Sequence, residues 1–428
     1  MKQRTSLLVS LNFPPSSIAS VHRARHLAKH LPEFGWRPIV LAVDEKFHKE
    51  PVDFALGRLV PETVDVRRVR ALPVKLGKLL GVGDLALRSM FQVWHEIKQL
   101  VKAEQPDVVF FTGWPFYQML LTSWIRCSFG LPVVLDFQDP WVSAEGSSRP
   151  KWSKGGAAHR LAVALEPRAI RDASYITSVS DRQNDEMAAR YSWLDRARMA
   201  AVPIGGDPDD FTALRRNPPV HPQVRLDPGK INFSFVGAFM PRTGPAARTV
   251  FRALAQVRRS HPELAARIRF NFVGTSNQPN GYGAFQVAPL AVEEGVGDLV
   301  HETPQRVAYL EALSLLANSH ALLLIGSDEP HYTASKIYPA LMSGRPYLSI
   351  FHQASSSHQI LSGAGGGESL AFAGQEELAE LEPALGAAIV RLASDAERYS
   401  PAKPESWSDY HASSVARRFA EIFASVGR

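Results

Sequence analysis

The chain has 428 residues, 45% of them hydrophobic and 21% charged, a balance that excludes disordered and collagen-like classes. At roughly 150 residues per domain, that length calls for two to three domains. One cysteine, Cys127, makes neither an internal disulfide nor a cysteine zinc site, so a reducing compartment is expected. The net charge of +6 is uneven: residues 1–205 hold 28 basic against 20 acidic residues, and the remainder 20 against 22. A basic first half reads either as a solvated surface or as the mark of an anionic partner. The basic residues are scattered without interleaved aromatics, which favours a membrane surface or a phosphorylated substrate over nucleic acid.

The opening apolar stretch stops at Pro14 and Pro15, too short for a signal peptide. No apolar run is long enough to span a bilayer. A soluble cytoplasmic protein is expected, peripheral at most on the inner face of the plasma membrane.

Short apolar runs then alternate with amphipathic segments. SLLVSL (6–11) precedes VHRARHLAKHL (21–31), where Val21, Ala24, Leu27, Ala28 and Leu31 share one helical face. RPIVLAV (37–43), DVVFF (107–111), PVVLD (132–136), YITSV (175–179) and MAAVP (199–203) read as further strands. The proline-rich stretch 205–230 reads as a linker. Beyond it, INFSFVG (231–237) leads to a helix over 246–259, and IRFNFVG (268–274) to a helix near 305–317. HALLLIG (320–326), a helix near 335–343 and PYLSIF (346–351) follow. The glycine-rich 363–369 reads as a loop with no strand running into it, and 407–426 as a last helix. Continuous apolar strands separated by helices mean parallel sheets covered on both faces. The expected architecture is α/β: two doubly wound Rossmann-like domains facing a cleft, 1–205 and 206–400, with 401–428 a C-terminal helix free to pack anywhere, a return to the first domain included.

Four constellations carry chemistry. In NFPPSSIAS (12–20), Ser16 and Ser17 would offer backbone N–H groups to an anion, although Ser20 as a plain helix cap also explains the pattern. The loop lacks the glycines of a dinucleotide fingerprint. LDFQDPW (135–141) sets Asp136, Gln138 and Asp139 at a strand's carboxyl edge. VGAFMPRTG (236–244) brings Gly237 and Arg242 to the loop after the second half's first strand. DEPHYTASKIYPALMSGRP (328–346) runs from a strand end into a helix expected to start near Ser335. There the N–H groups of Ala334, Ser335 and Lys336, with the Lys336 ammonium, would seat a diphosphate. His and Cys are not clustered at metal-ligand spacing, so no metal is expected.

On these residues the chain resembles the retaining GT-B glycosyltransferases of the family-4 type. SLNFPPSSIASVHRARHLAKHLPEFGWRPIVLA, PDVVFFTG, PVVLDFQDPW, ASYITSVS and VPIGGDPDDF are similar to the family's first domain. INFSFVGAF, ANSHALLLIG and SKIYPALMSGRP are similar to its donor domain. The resemblance implies retention of configuration without a metal or other cofactor. It also implies a UDP- or GDP-type sugar donor as co-substrate on the second domain and an acceptor on the first. Arg23 matches the family's helix arginine and would touch the acceptor; His331 and Tyr332 would border the donor. Ile18, Ala19 and Ser20 replace the family's loop glycines. His331 and Pro339 stand where a glutamate pair is usual, and Arg242, with Lys336, replaces a basic pair.

The reading is a hexosyl transfer to a glycan or polyprenyl-linked acceptor in cell-surface polysaccharide synthesis, with Asp139 the catalytic carboxylate. A non-catalytic scaffold of polysaccharide assembly and a GT-B-type sugar-nucleotide epimerase are the alternatives. The segment 72–94, with Lys75, Lys78 and Arg88 among leucines, reads equally as an interfacial helix and as a loop and helix packed on the domain.

Overall fold

Both sides of the early strands are apolar, and each side finds its own cover. In the computed structural model, which describes residues 3–427 apart from 51, 80, 277–282 and 330–333, β1 (Arg4–Val9) sends Leu7 and Val9 to one face and Leu8 to the other. Val109 and Phe111 of β4 (Val108–Thr112) join the first face, and Val108 and Phe110 the second. Helix Leu85–Glu104 covers the first face with Val93, Ile97 and Leu100. Helix Val21–His30 covers the second with Ala24, Leu27 and Ala28.

The chain forms two units, Met1–Gly205 with Ala412–Arg428, and Gly206–His411. In the first, β2 (Trp36–Val43), β3 (Asp65–Val69), β5 (Val133–Phe137), β6 (Tyr175–Ser178) and β7 (Met199–Ala201) complete a parallel seven-stranded sheet. Its order is β3-β2-β1-β4-β5-β6-β7. In the second, β8 (Ile231–Val236), β9 (Ile268–Val273), β10 (Val300–Thr303), β11 (Ala321–Ile325), β12 (Tyr347–His352) and β13 (Gly367–Phe372) pair in parallel in the order β10-β9-β8-β11-β12-β13. Winding reverses between β1 and β4 in one sheet and between β8 and β11 in the other. Ligands of such sheets bind at the carboxyl ends flanking the reversal.

Four expectations need correcting. β3, β10 and β13 were not legible as strands. All three are edge strands whose sequences, DVRRV, VHET and GESLAF, lack a continuous apolar run because one side is left to solvent. The glycine run therefore does meet a strand: Gly365 (φ +67°) ends helix Ser356–Ala364, and Gly367 opens β13. A Cβ at Gly367 would sit 2.4 Å from the Tyr347 carbonyl oxygen, which explains the glycine.

The stretch 205–230 is no bare linker. Asp207 caps helix Pro208–Arg216 by accepting from the Asp209 N–H, Phe211 and Leu214 are buried, and Asp210 accepts the Tyr309 hydroxyl at 2.8 Å. Nor does 72–94 form one interfacial helix. It splits into Val74–Leu79 and the start of Leu85–Glu104, and Arg88 is buried, donating to the Leu72 and Phe47 carbonyls at 2.7 and 2.9 Å. The C-terminal segment rejoins the first unit only from Ala412, where helix Ala412–Val426 lays Val415, Phe419 and Phe423 on the second face. Among the described residues no helix is long and apolar enough to cross a membrane.

Candidate active site

The first unit's reversal point is closed by tight packing around Gly113. It follows β4 with φ +76°, and a Cβ there would lie 3.0 Å from Ser20 Cβ and 3.2 Å from Gln138 Nε2. Beneath it Asp136, fully buried at the end of β5, gathers a polar network. Arg23 Nε donates to Asp136 Oδ2 at 3.1 Å, Thr112 Oγ1 to Oδ2 at 2.6 Å, and Thr177 Oγ1 to Oδ1 at 2.8 Å. A carboxylate with three donors satisfies the rule that buried charge be paired and hydrogen-bonded.

This overturns the expectation for Arg23. Its guanidinium is fully buried, donates to the Val202 and Pro203 carbonyls, and lies 4.9 Å from the Phe419 ring centroid. Arg23 fastens the end of β7 and the C-terminal helix to β5, and no acceptor reaches it there. Gln138, also buried, donates to Thr112 Oγ1 at 3.0 Å and to the Ser20 carbonyl at 3.2 Å.

Of the DFQDPW polar groups only Asp139 is exposed. The loop is held on either side of it, because Trp141 stacks on Phe116 at 5.5 Å and the Val142 N–H donates to buried Glu166 at 3.2 Å. Glu166 also accepts from Arg190 and from Tyr191, whose hydroxyl burial and this carboxylate push up to about 12. Surrounding protein raises the Asp139 carboxyl above the usual carboxylate range. Its own contact with water moderates that push.

The serine loop differs from expectation. The Ser16 N–H is spent on the Phe13 carbonyl, Ser16 is buried, and it bridges to Val52. Ser17 beside it is part-buried. Ser20 precedes the helix in a helical conformation with no side-chain cap bond. Ser16 therefore offers no backbone donor to an anion.

In the second unit the reversal point joins the loops after β8 and β11. Gly237 leaves β8 with φ +131°, a conformation glycine favours, and its N–H donates to Val273. A Cβ at Gly237 would lie 3.9 Å from Lys336 Cδ. Lys336 Nζ sits 3.8 Å from the Phe235 ring centroid and 3.4 Å from the Ala238 carbonyl oxygen. The residue as a whole is part-exposed, but its ammonium is enclosed, and burial lowers its pKa to about 7.

Arg242 crosses to the loop after β11, pairing with Asp328 at 2.6 Å and Glu329 at 3.0 Å. Burial raises the Asp328 carboxyl, but hydrogen bonds from Arg242 and Gln375 outweigh it and leave it below its ordinary value. The sequence placed Arg242 at this loop and missed its acidic partners, although an acid pair directly after a strand was the available signal.

The helix-terminus seat is also corrected. The helix is only Ile337–Met342, and the Ala334 N–H is taken by Ser357 Oγ at 3.0 Å. Ser335 lies in the preceding turn, so the ammonium of Lys336 is the stronger feature. Pro339 stands in the first helical turn, where a missing N–H costs no intrahelical bond. His331 and Tyr332 lie outside the described residues. No group of three or more His, Cys, Asp or Glu able to hold a metal occurs among the described residues.

Residues 20–205 match the family model of the glycosyl transferase 4-like domain. No curated protein matches the chain in sequence. Among solved structures, the Anabaena protein HepE, in complex with UDP and glucose, superposes with TM-score 0.59 at 16% identity over 99% of this chain and 100% of its own. WaaG, a glycosyltransferase involved in lipopolysaccharide biosynthesis, gives TM-score 0.58 at 14% identity over 98% and 99%. The trehalose-6-phosphate synthase OtsA gives 0.62 at 11% identity over 98% and 99%.

Proposed function

We propose that the chain is a glycosyltransferase of the GT-B type that moves a hexosyl group from a UDP- or GDP-type sugar nucleotide with retention of configuration; the match of its first unit to the glycosyl transferase 4-like domain and its two doubly wound sheets support this. The acceptor, a glycan or lipid-linked glycan of a cell-surface polysaccharide, meets the first unit, and the donor meets the second. The observation that carries the reading is the Lys336 ammonium beside Gly237 at the second sheet's reversal point. HepE supports a uridine nucleotide, having been solved with UDP and glucose.

Transfer breaks the bond from the anomeric carbon to the diphosphate oxygen and forms one to the acceptor oxygen, which loses its proton. Charge grows on the leaving diphosphate, and a preorganised cation there lowers the barrier. Lys336 supplies it without a metal. Arg242 assists once the diphosphate competes with Asp328 and Glu329 for its guanidinium. Asp139 orients the acceptor hydroxyl or receives its proton. Reversible membrane contact fits the short helix Val74–Leu79, which exposes Lys75, Leu76, Lys78 and Leu79.

The test supplies purified protein with UDP-glucose, UDP-N-acetylglucosamine and GDP-mannose, together with membrane-lipid extract as acceptor, and reads nucleotide release with and without a chelator. Release of nucleotide that survives the chelator is expected. Absence of binding to every donor, or full loss on chelation, contradicts the reading.

A further inference from the structure

The loop after β1 has a second side. Away from the Asp136 network, Phe13, Pro14 and Pro15 form one wall of a hollow of about 660 Å³, which Phe54, Val60 and Val66 help to line. That volume lies within the range of roughly 300–1,000 Å³ usual for small-molecule sites. The wall is fixed in place. Arg68 donates to the Pro14 carbonyl at 2.6 Å, the Asp53 N–H to the Pro15 carbonyl at 2.6 Å, and the Ser16 N–H to the Phe13 carbonyl at 3.1 Å.

Those bonds also settle the wall's chemistry. Every carbonyl of Phe13-Pro14-Pro15 is already an acceptor, and the prolines have no N–H to give. A sugar ring laid there would find no donors and only the second lone pairs of engaged carbonyls for its hydroxyls, whereas a hydrocarbon chain needs no partner. Phe54, at 65% exposure, leaves its ring largely uncovered at the edge of the hollow. Its polar side chains are the charged ones, and among them Arg58 and Glu62 have no side-chain hydrogen bond or ion pair among the described residues.

The geometry points to a subsite for the hydrocarbon part of an amphiphilic acceptor, with Arg58 and Glu62 receiving its polar head. This rests on the glycosyltransferase reading and narrows it: the same loop that borders the carboxyl ends of the first sheet holds the acceptor's apolar chain. The hollow selects acceptors carrying a hydrocarbon group over free sugars.

Gly57 makes the inference testable. It lines the hollow, and a Cβ there would meet only Pro15 at 3.7 and 3.9 Å, ordinary contact, so a larger side chain enters the hollow without disturbing the backbone. Calorimetry on the full chain uses n-octyl β-glucoside below its micelle threshold, methyl β-glucoside as control, and UDP. Octyl glucoside should bind and methyl glucoside should not. Gly57→Leu and Phe54→Asp should each weaken octyl glucoside by roughly tenfold or more, about 1.4 kcal/mol, with UDP affinity unchanged.

Equal binding of both glucosides, or unchanged octyl affinity in Gly57→Leu, overturns the subsite. Flotation with phosphatidylcholine vesicles separates a pocket from a membrane face: binding lost in Phe54→Asp but kept in Gly57→Leu overturns the pocket in favour of the face. Octyl glucoside binding by a protein that binds no sugar nucleotide overturns the acceptor role, and marks the failure of the glycosyltransferase reading instead.

Discussion

Asp136 and Asp139 stand three residues apart and do opposite work. Asp136 is buried and consumed by Arg23, Thr112 and Thr177; Asp139 meets solvent. Asp136→Ala should cost about 3–5 kcal/mol, because it leaves the Arg23 charge buried without its carboxylate; urea unfolding reads it. Asp139→Asn should leave stability unchanged and lower turnover by roughly tenfold or more, at least 1.4 kcal/mol of barrier. Unchanged turnover would make that carboxylate structural.

Lys336 gives a pH signature with a definite sign. Its pKa near 7 in the folded protein, lowered by burial, means the ammonium is charged below neutrality and neutral above. A diphosphate beside it favours the charged form. Affinity for UDP should therefore be flat at low pH and fall as pH rises above about 7, approaching tenfold per unit, while Lys336→Arg, which stays charged, should flatten the profile. A wild-type profile with no slope would contradict the placement. At this scale the sequence located Gly237, Arg242 and Lys336 correctly in their loops. It could not show that Arg23 turns inward, because an arginine on an amphipathic helix reads the same whether its partner is a ligand or a buried aspartate.

Interior strands announce themselves, since both faces are covered and the run is uniformly apolar; β1, β4, β8 and β11 were all legible this way. Edge strands β3, β10 and β13 were not, and polar residues fill them for the reason that hides them. The helix Pro208–Arg216 hid differently, with Phe211 and Leu214 as its only large buried apolar residues among charges and prolines. The C-terminal helix was legible as a helix, but its destination was not, because an apolar stripe does not name its partner. Phe423 packs edge-on against Trp36 at 5.5 Å and beside Phe110 at 5.5 Å. Phe423→Ala should destabilise the first unit by about 3–5 kcal/mol and leave UDP affinity on the second intact. Loss of both together would mean that the two units do not fold independently.

For the molecule as a whole, the charge division has a structural counterpart. The basic excess of residues 1–205 lies in the unit proposed to meet the acceptor, which also holds Ala412–Arg428, whereas Gly206–His411, the unit proposed to meet the donor, has 17 basic against 21 acidic residues. A diphosphate on a net acidic unit needs a local cation, which gives Lys336 its weight. The two-sheet plan was readable from alternation alone, whereas the donor's nucleotide was not, because base and ribose recognition depends on loop geometry that no short motif here specifies.

Calorimetry of UDP and GDP against uridine and guanosine, on wild type and Lys336→Ala, tests the account most directly. A charge-assisted hydrogen bond is worth roughly 1.5–3 kcal/mol, so Lys336→Ala should weaken the preferred diphosphate by roughly 10- to 100-fold and leave its nucleoside nearly unchanged. Equal losses for nucleoside and diphosphate, or no loss for either, would contradict it.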